Sequence, residues 1–202
     1  MTRILIAGVG NIFLGDDGFG VEVVNRLAGK DFPPEVEVAD FGIRGVHLAY
    51  QLLDGYEVLL LVDAMPRGEP AGTVTVLEPE LPAAPGPLAL DAHGMEPLAV
   101  LSLIGTLAAE TGSSGPDRVF VVGCEPAQCD EGIGLSPAVE AAVADAVGIV
   151  EDLIDQIMGK GCEERVPHRG RSAAAGSSGS GRGVATGHQA IPEDSRHVRT
   201  RR

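Results

Sequence analysis

The sequence lacks any apolar run that approaches the ~20 residues needed to span a bilayer, and a strand pattern follows Met1-Thr2-Arg3 directly, where a secretion signal would otherwise stand. We therefore expect a soluble, cytoplasmic protein with no membrane partner. Cysteine is also scarce. The three cysteines, at positions 124, 129 and 162, form neither a disulfide framework nor a CxxC zinc pair, so we expect free thiols, with Cys124 buried at a strand end.

Lys and Arg are few in the first four fifths of the chain. Residues 1–159 carry six Lys/Arg against twenty-five Asp/Glu, a net charge of −19, whereas residues 160–202 carry nine against four, a net charge of +5. So acidic a segment repels phosphate, which argues against a nucleic-acid partner. A cation or a basic polypeptide suits it better as a partner.

Apolar periodicity is absent from the end of the chain, where the sequence RGRSAAAGSSGSGRG stands. Such a Gly/Ser/Arg-rich segment cannot bury enough surface to offset the entropy of ordering it. We therefore predict one folded domain, residues 1–158, followed by a disordered basic tail, residues 159–202. The length and the hydrophobic fraction of 44% suit a single well-buried core.

Strand and helix patterns alternate along the domain, which predicts an α/β fold: a three-layer sandwich with a mostly parallel twisted sheet and helices on both faces. The predicted strands cover residues 4–7, 35–41, 56–62, 73–77 and 118–123. The predicted helices cover residues 21–27, 46–53, 96–110 and 136–157. The strand at 73–77 follows its predecessor after a short connection, which favours an antiparallel arrangement of the two.

A glycine-punctuated turn, Gly8 to Gly20 (GVGNIFLGDDGFG), joins the first strand to the first helix and carries Asp16 and Asp17 side by side. A dinucleotide-binding fingerprint fits poorly, because Phe13 stands where its third glycine should be and paired acids repel a pyrophosphate. Two readings remain at this point. The acids either form a cation site, since carboxylates are hard oxygen ligands, or belong to a solvated loop that caps the helix.

Other chemically useful side chains also fall where predicted strands end or helices begin. Asp40 and Asp63 end the second and third strands, and His93 stands in the loop DAHG before a helix. Carboxyl ends of parallel strands share one edge of a sheet, which is where α/β proteins bind ligands, so we expect these residues to gather there. A loop histidine is often unremarkable, but one flanked by small residues can present its imidazole freely.

Several segments, in order, resemble the hydrogenase maturation proteases: GVGNIFLGDDGFG, LLLVDAM, DAHGM, VVGCEP and GIGLSPAVE. The resemblance spans about residues 3–158 and does not include the tail. It implies an endopeptidase that removes a C-terminal extension from the large-subunit precursor of a nickel-iron hydrogenase after nickel insertion. The implied partner is that precursor, and we expect the protein itself to be a monomer.

The resemblance also implies site residues. The family's metal-contacting positions fall on Asp17, Asp63 and His93, which become the expected catalytic and nickel-contacting residues. Asp16 and Asp40 are candidates for supporting these residues or contacting the substrate. We expect the nickel to be carried by the substrate and no organic cofactor to be needed.

No Ser/His/Asp or Cys/His arrangement and no HExxH motif is evident, so metal-assisted hydrolysis is the most economical mechanism. An aspartyl-type mechanism is the other one that the acids would suit. Two other classes of function remain as alternatives. One is a nickel-binding maturation chaperone without peptidase activity, which would use the same three residues. The other is a nucleotide-binding α/β domain, against which the acidic turn argues.

Overall fold

A computed structural model describes residues 2–79 and 115–159, together with the backbone of residues 199–201. The predicted helix at 96–110 and His93 lie outside the described residues. The strands are Ile4–Val9 (β1), Val36–Gly42 (β2), Val58–Ala64 (β3), Val74–Leu77 (β4), Arg118–Cys124 (β5) and Arg199–Arg201 (β6). The described helices are Phe19–Leu27 (α1), Gly45–Leu52 (α2) and Pro137–Ile157 (α3), and a 3-10 helix covers Gly15–Gly18.

The described strands form one sheet in the order β2-β1-β3-β5-β4-β6. The first four are mutually parallel, while β4 runs antiparallel to both of its neighbours. A parallel core with helical crossovers is what alternating strand and helix patterns predict. The carboxyl ends of β1, β2, β3 and β5 therefore meet at one edge of the sheet.

Both faces of the sheet are covered, which gives the three predicted layers. Successive side chains of a strand point to opposite faces, so β1 sends Ile4 and Ile6 into the cluster that contains α1 and α3, and Leu5 and Ala7 into the cluster that contains α2. The side chains of β3 alternate between the same two clusters, and the strand is buried along nearly its whole length. Such two-sided burial is typical of a central parallel strand.

The position of β4 differs in part from the prediction. Its direction is opposite to that of β3, as expected, but its neighbour is β5, which lies between the two. The short connection fixed the direction of β4 without fixing its partner, because β5 occurs about 40 residues later in the sequence.

At the outer edge of the sheet, β6 pairs with β4 through Thr75 and Thr200 and their neighbours. These three residues depart from the disorder that we predict for the tail, since β4 would otherwise present an unpaired row of N–H and C=O groups. Residues 160–198 lie outside the described residues, and disorder there remains a prediction.

Candidate active site at the carboxyl edge of the sheet

The turn after β1 approaches neighbouring backbone too closely for any residue but glycine at two positions. Gly10 has φ +126°, and a Cβ there would lie 1.8 Å from the carbonyl oxygen of Asp17. A Cβ on Gly20 would lie 2.2 Å from the carbonyl oxygen of Val62 in β3. The glycines thus let the 3-10 helix and the start of α1 pack directly against the ends of β1 and β3.

Asp17 lies on this 3-10 helix and is half-buried. The backbone N–H of Asn11 donates to its Oδ2 at 2.6 Å, so the turn holds the carboxylate in place across six residues. A hydrogen bond to a carboxylate is stronger than one between neutral groups. Asp17 is therefore fixed at the carboxyl edge while part of its side chain remains open to solvent.

Asp63, near the end of β3, is the second acid at this edge, and only 6% of its surface is exposed. Burial raises the pKa of its carboxyl well above the usual range, the negative charge of Asp17 raises it further, and the N–H of Ala64 opposes both. The two acids are thus close enough to interact. Burial and the charge of Asp17 thus both disfavour the ionised form of Asp63.

Asp16, by contrast, is entirely buried and accepts four hydrogen bonds. Its Oδ1 accepts the N–H of Ser136 at 2.6 Å. Its Oδ2 accepts the N–H groups of Ala127 and Gln128 at 2.8 and 3.2 Å and the hydroxyl of Ser136 at 2.9 Å. Burial alone would raise the pKa of Asp16, but these donors outweigh it and lower the pKa.

Through these hydrogen bonds, Asp16 connects the turn after β1 to the loop before α3. They also involve the start of that helix. Ser136 stands at the N-cap and Pro137 at the first helical position, a sequence typical of a helix start, but the Ser136 hydroxyl donates to Asp16 and not to the helix backbone. Of the two candidate roles for Asp16, supporting its neighbours fits this geometry, whereas substrate contact does not.

Asp40 lies near the end of β2, next to β1, is exposed, and pairs in register with Gly8. Its backbone carbonyl accepts a hydrogen bond from Arg44 at 2.6 Å. It therefore lies at the same edge of the sheet, on the strand beyond the one that leads into Asp17. His47 is exposed on α2.

Two residues of this region escaped the sequence analysis. Glu125, just after β5, is buried, and its carboxylate accepts the N–H groups of Arg67 and Gly68 at 2.6 and 3.1 Å, which fixes the turn that follows β3. Cys129, for which the sequence predicts only a free thiol, is an exposed residue whose thiol pKa is raised by partial burial of the sulfur and by the charges of Asp17, Asp16, Asp63 and Asp130. The loop before α3 therefore borders the acids. The glycines and acids of that loop were its only signal in the sequence.

Within residues 2–79 and 115–159, no three His, Cys, Asp or Glu side chains are grouped as ligands of a single metal ion. The structure brings together Asp17 and Asp63, and the third predicted member, His93, lies outside the described residues. In the same part of the chain, no helix is long and apolar enough to cross a membrane.

The fold belongs to a known class of peptidases. The family model for hydrogenase maturation proteases matches residues 21–153, and the chain belongs to that family. The hydrogenase expression/formation protein HupD of Rhodobacter capsulatus is 32% identical over 155 residues, which cover 72% of this chain and 70% of HupD. The hydrogenase 2 maturation protease of Escherichia coli K12 is 30% identical over 146 residues, covering 72% and 86%.

Solved structures agree with this assignment. The hydrogenase maturating endopeptidase HybD from E. coli superimposes with a TM-score of 0.60 at 32% identity, covering 79% of this chain and 94% of HybD. The maturation protease HycI from Thermococcus kodakarensis gives a TM-score of 0.59 at 25% identity. The predicted family, the α/β fold and the peptide-bond hydrolase activity are thereby confirmed.

Proposed function

We propose that this endopeptidase removes the C-terminal extension of a nickel-iron hydrogenase large-subunit precursor after nickel insertion, and that it recognises the nickel in the precursor. Asp17 and Asp63, with His93, would contact that nickel and position the nearby peptide bond for hydrolysis. The observation that carries the proposal is the interaction of Asp17 with the buried Asp63 at the carboxyl edge of the sheet. The family and the names of its relatives support the substrate class.

The electrostatics of this pair favour a ligand that brings positive charge. When two acids interact and one of them is buried, ionising both costs free energy unless a cation neutralises their charges. A divalent cation docked beside them would favour ionisation of Asp63 and release its proton. Carboxylates and an imidazole suit a borderline divalent metal, and a set of three leaves coordination positions for ligands that the precursor supplies.

The surrounding residues give the pair a defined orientation. The backbone N–H of Asn11 donates to one oxygen of Asp17, and Asp63 is buried near the end of β3. Asp16 and Glu125 fix the adjoining turns. Asp17, or Asp63 once the arriving cation favours its ionisation, could accept a proton from an attacking water molecule, which is the role of a general base.

The proposal is tested by incubating the protein with a nickel-loaded large-subunit precursor and measuring the precursor's C-terminus by mass spectrometry. We expect a single truncated product. Asp17→Asn, Asp63→Asn and His93→Ala should each lower the rate at least ~100-fold. The matched control is Asp54→Asn, which changes an exposed acid in the turn before β3, at the opposite edge of the sheet, and should cleave within about threefold of the wild type.

An intact precursor mass, with nickel retained or transferred, would contradict the peptidase proposal and favour the nickel-binding chaperone. Full activity of both Asp17→Asn and Asp63→Asn would show that the acid pair is not the site.

A further inference from the structure

Three large apolar side chains are exposed beside the acid pair, on the loops that border it. Ile12 and Phe13 belong to the turn after β1 and are 47% and 62% exposed, and Ile133 belongs to the loop before α3 and is 84% exposed. We refer to these three residues as the apolar rim. The other exposed large apolar side chains of the described residues, Ile43, Val46 and Tyr50, lie on α2 or just before it and not on the loops that carry Asp17. Exposed apolar side chains grouped beside a polar site often mark a contact surface.

The two loops that carry the apolar rim are joined by backbone hydrogen bonds. The N–H of Gly132 donates to the carbonyl of Phe13 at 2.9 Å, and the N–H of Gly15 donates to the carbonyl of Gly132 at 3.0 Å. Leu14 and Gly132 thus form an isolated parallel bridge. Phe13 and Ile133 are therefore next to residues paired across the two loops, and their backbones are held together.

The same loops hold Asp17, one member of the acid pair. The backbone N–H of Asn11, directly before Ile12, donates to Asp17, and Asp16 accepts from the loop residues Ala127, Gln128 and Ser136, which lie on both sides of Gly132. The apolar rim and Asp17 are thus parts of one hydrogen-bonded unit. A preorganised apolar surface loses little conformational freedom when a partner covers it.

Charge decides what kind of partner can cover this surface. Asp130 and Glu131 are exposed on the same loop as Ile133, and residues 1–159 carry a net charge of −19. A second copy of this domain would bring more negative charge to an acidic site, which opposes self-association. A partner that presents an apolar patch beside a cationic centre would match both features.

We propose that the apolar rim is the docking surface for the folded body of the large-subunit precursor, which it holds while the acid pair meets the metal. This inference rests on the proposed function. It adds that recognition extends beyond the metal and the scissile segment to an apolar patch on the precursor. Removing the rim should therefore weaken binding without changing the chemical step.

The test is a double variant, Phe13→Ser with Ile133→Ser, in the full chain. Its matched control is Val46→Ser with Tyr50→Ser, which removes two exposed apolar side chains from α2. Circular dichroism and thermal melting establish that both variants fold. For cleavage of the nickel-loaded precursor, we expect the rim variant to raise KM at least tenfold with kcat within twofold of the wild type. The control should leave both values within twofold.

Binding of the same precursor, measured by biolayer interferometry, separates this inference from the proposed function. If the wild type binds but does not cleave, the proposed function fails, yet at least tenfold weaker binding by the rim variant would still support the docking surface. Rim-variant KM and binding within twofold of the wild type would overturn it. So would sedimentation analysis that shows a wild-type dimer lost in the rim variant, since the rim would then join two copies.

Discussion

At the scale of the residue, two adjacent carboxylates have different roles. Asp16 and Asp17 are hard to distinguish by local sequence pattern, because they stand side by side between Gly15 and Gly18 in the same turn. Asp16 is distinguished only by donors that arrive from 111 to 120 residues away in the chain. The sequence could therefore predict an acidic site here, and the family resemblance indicates Asp17. No local signal could show that Asp16 has a structural role, which is to connect two loops.

Asp16→Asn should destabilise the fold by about 3 kcal/mol. The carboxylate of Asp16 accepts four hydrogen bonds, whereas an amide has one accepting oxygen and would place an N–H₂ group opposite some of the same donors. The free energy of unfolding, measured by urea denaturation at pH 7, tests this. Asp17→Asn is the matched comparison and should change it by less than about 1 kcal/mol, since it loses one half-exposed contact. Equal stability of the two variants would contradict the division of roles.

Asp63 should make stability depend on pH. Its folded-state pKa lies above the unfolded value, so the folded protein binds the proton more tightly, and stability falls as pH rises from the unfolded pKa through the folded one. Asp63→Asn removes the group that ionises. Its Tm should match that of the wild type near pH 4 and exceed it at pH 8.

Thermal melts of the wild type and Asp63→Asn across this range check the expectation. Asp130→Asn, which changes an exposed acid of the neighbouring loop, serves as the control. The difference between its Tm and that of the wild type should not increase from pH 4 to pH 8. A Tm difference that is independent of pH, or that favours the wild type at pH 8, would show that Asp63 is not held in a site that disfavours its charge.

At the scale of the element, strands and helices were largely predictable because their patterns are local. The continuous apolar run of β3 indicates burial on both faces, and the period of the apolar residues in α3 marks its buried side. Pairing between strands was less predictable, as β4 shows. Its neighbour is decided by which distant strand completes the sheet, and local alternation carries no information on that choice.

The turn after β1 offers a test at this scale. Gly10→Ala should disrupt the placement of Asp17, because the added Cβ would collide with the Asp17 carbonyl and φ +126° is strained for alanine. We expect destabilisation of at least ~1 kcal/mol and a loss of cleavage at least tenfold. Urea denaturation and the mass-spectrometric assay measure the two effects.

Gly148→Ala is the matched control for that substitution. Gly148 lies within α3 with nothing within 4 Å of its added Cβ, so alanine should stabilise the helix by up to about 1 kcal/mol and leave cleavage unchanged. If Gly10→Ala behaved like Gly148→Ala, the close approach of the turn to Asp17 would not matter for activity.

At the scale of the whole molecule, the chain divides by charge into an acidic domain and a basic tail. Among the described residues, both core clusters are built from residues 4–158, and the described part of the tail adds β6 at the edge of the sheet. Truncation after Gly159 should therefore lower Tm by no more than about 4 °C and leave cleavage intact. Loss of cooperative melting, or of cleavage at equal concentration, would show that the tail belongs to the functional unit.

The central claim is that cleavage depends on nickel in the precursor and not on metal bound beforehand to the protease. The most direct measurement mixes chelator-treated protease, freed of chelator, with precursor purified with or without nickel, and follows the C-terminal mass with time. We expect the nickel-loaded precursor to be cut and the nickel-free precursor to remain intact, because only the former brings a cation to Asp17 and Asp63. Efficient cutting of the nickel-free precursor would contradict the account.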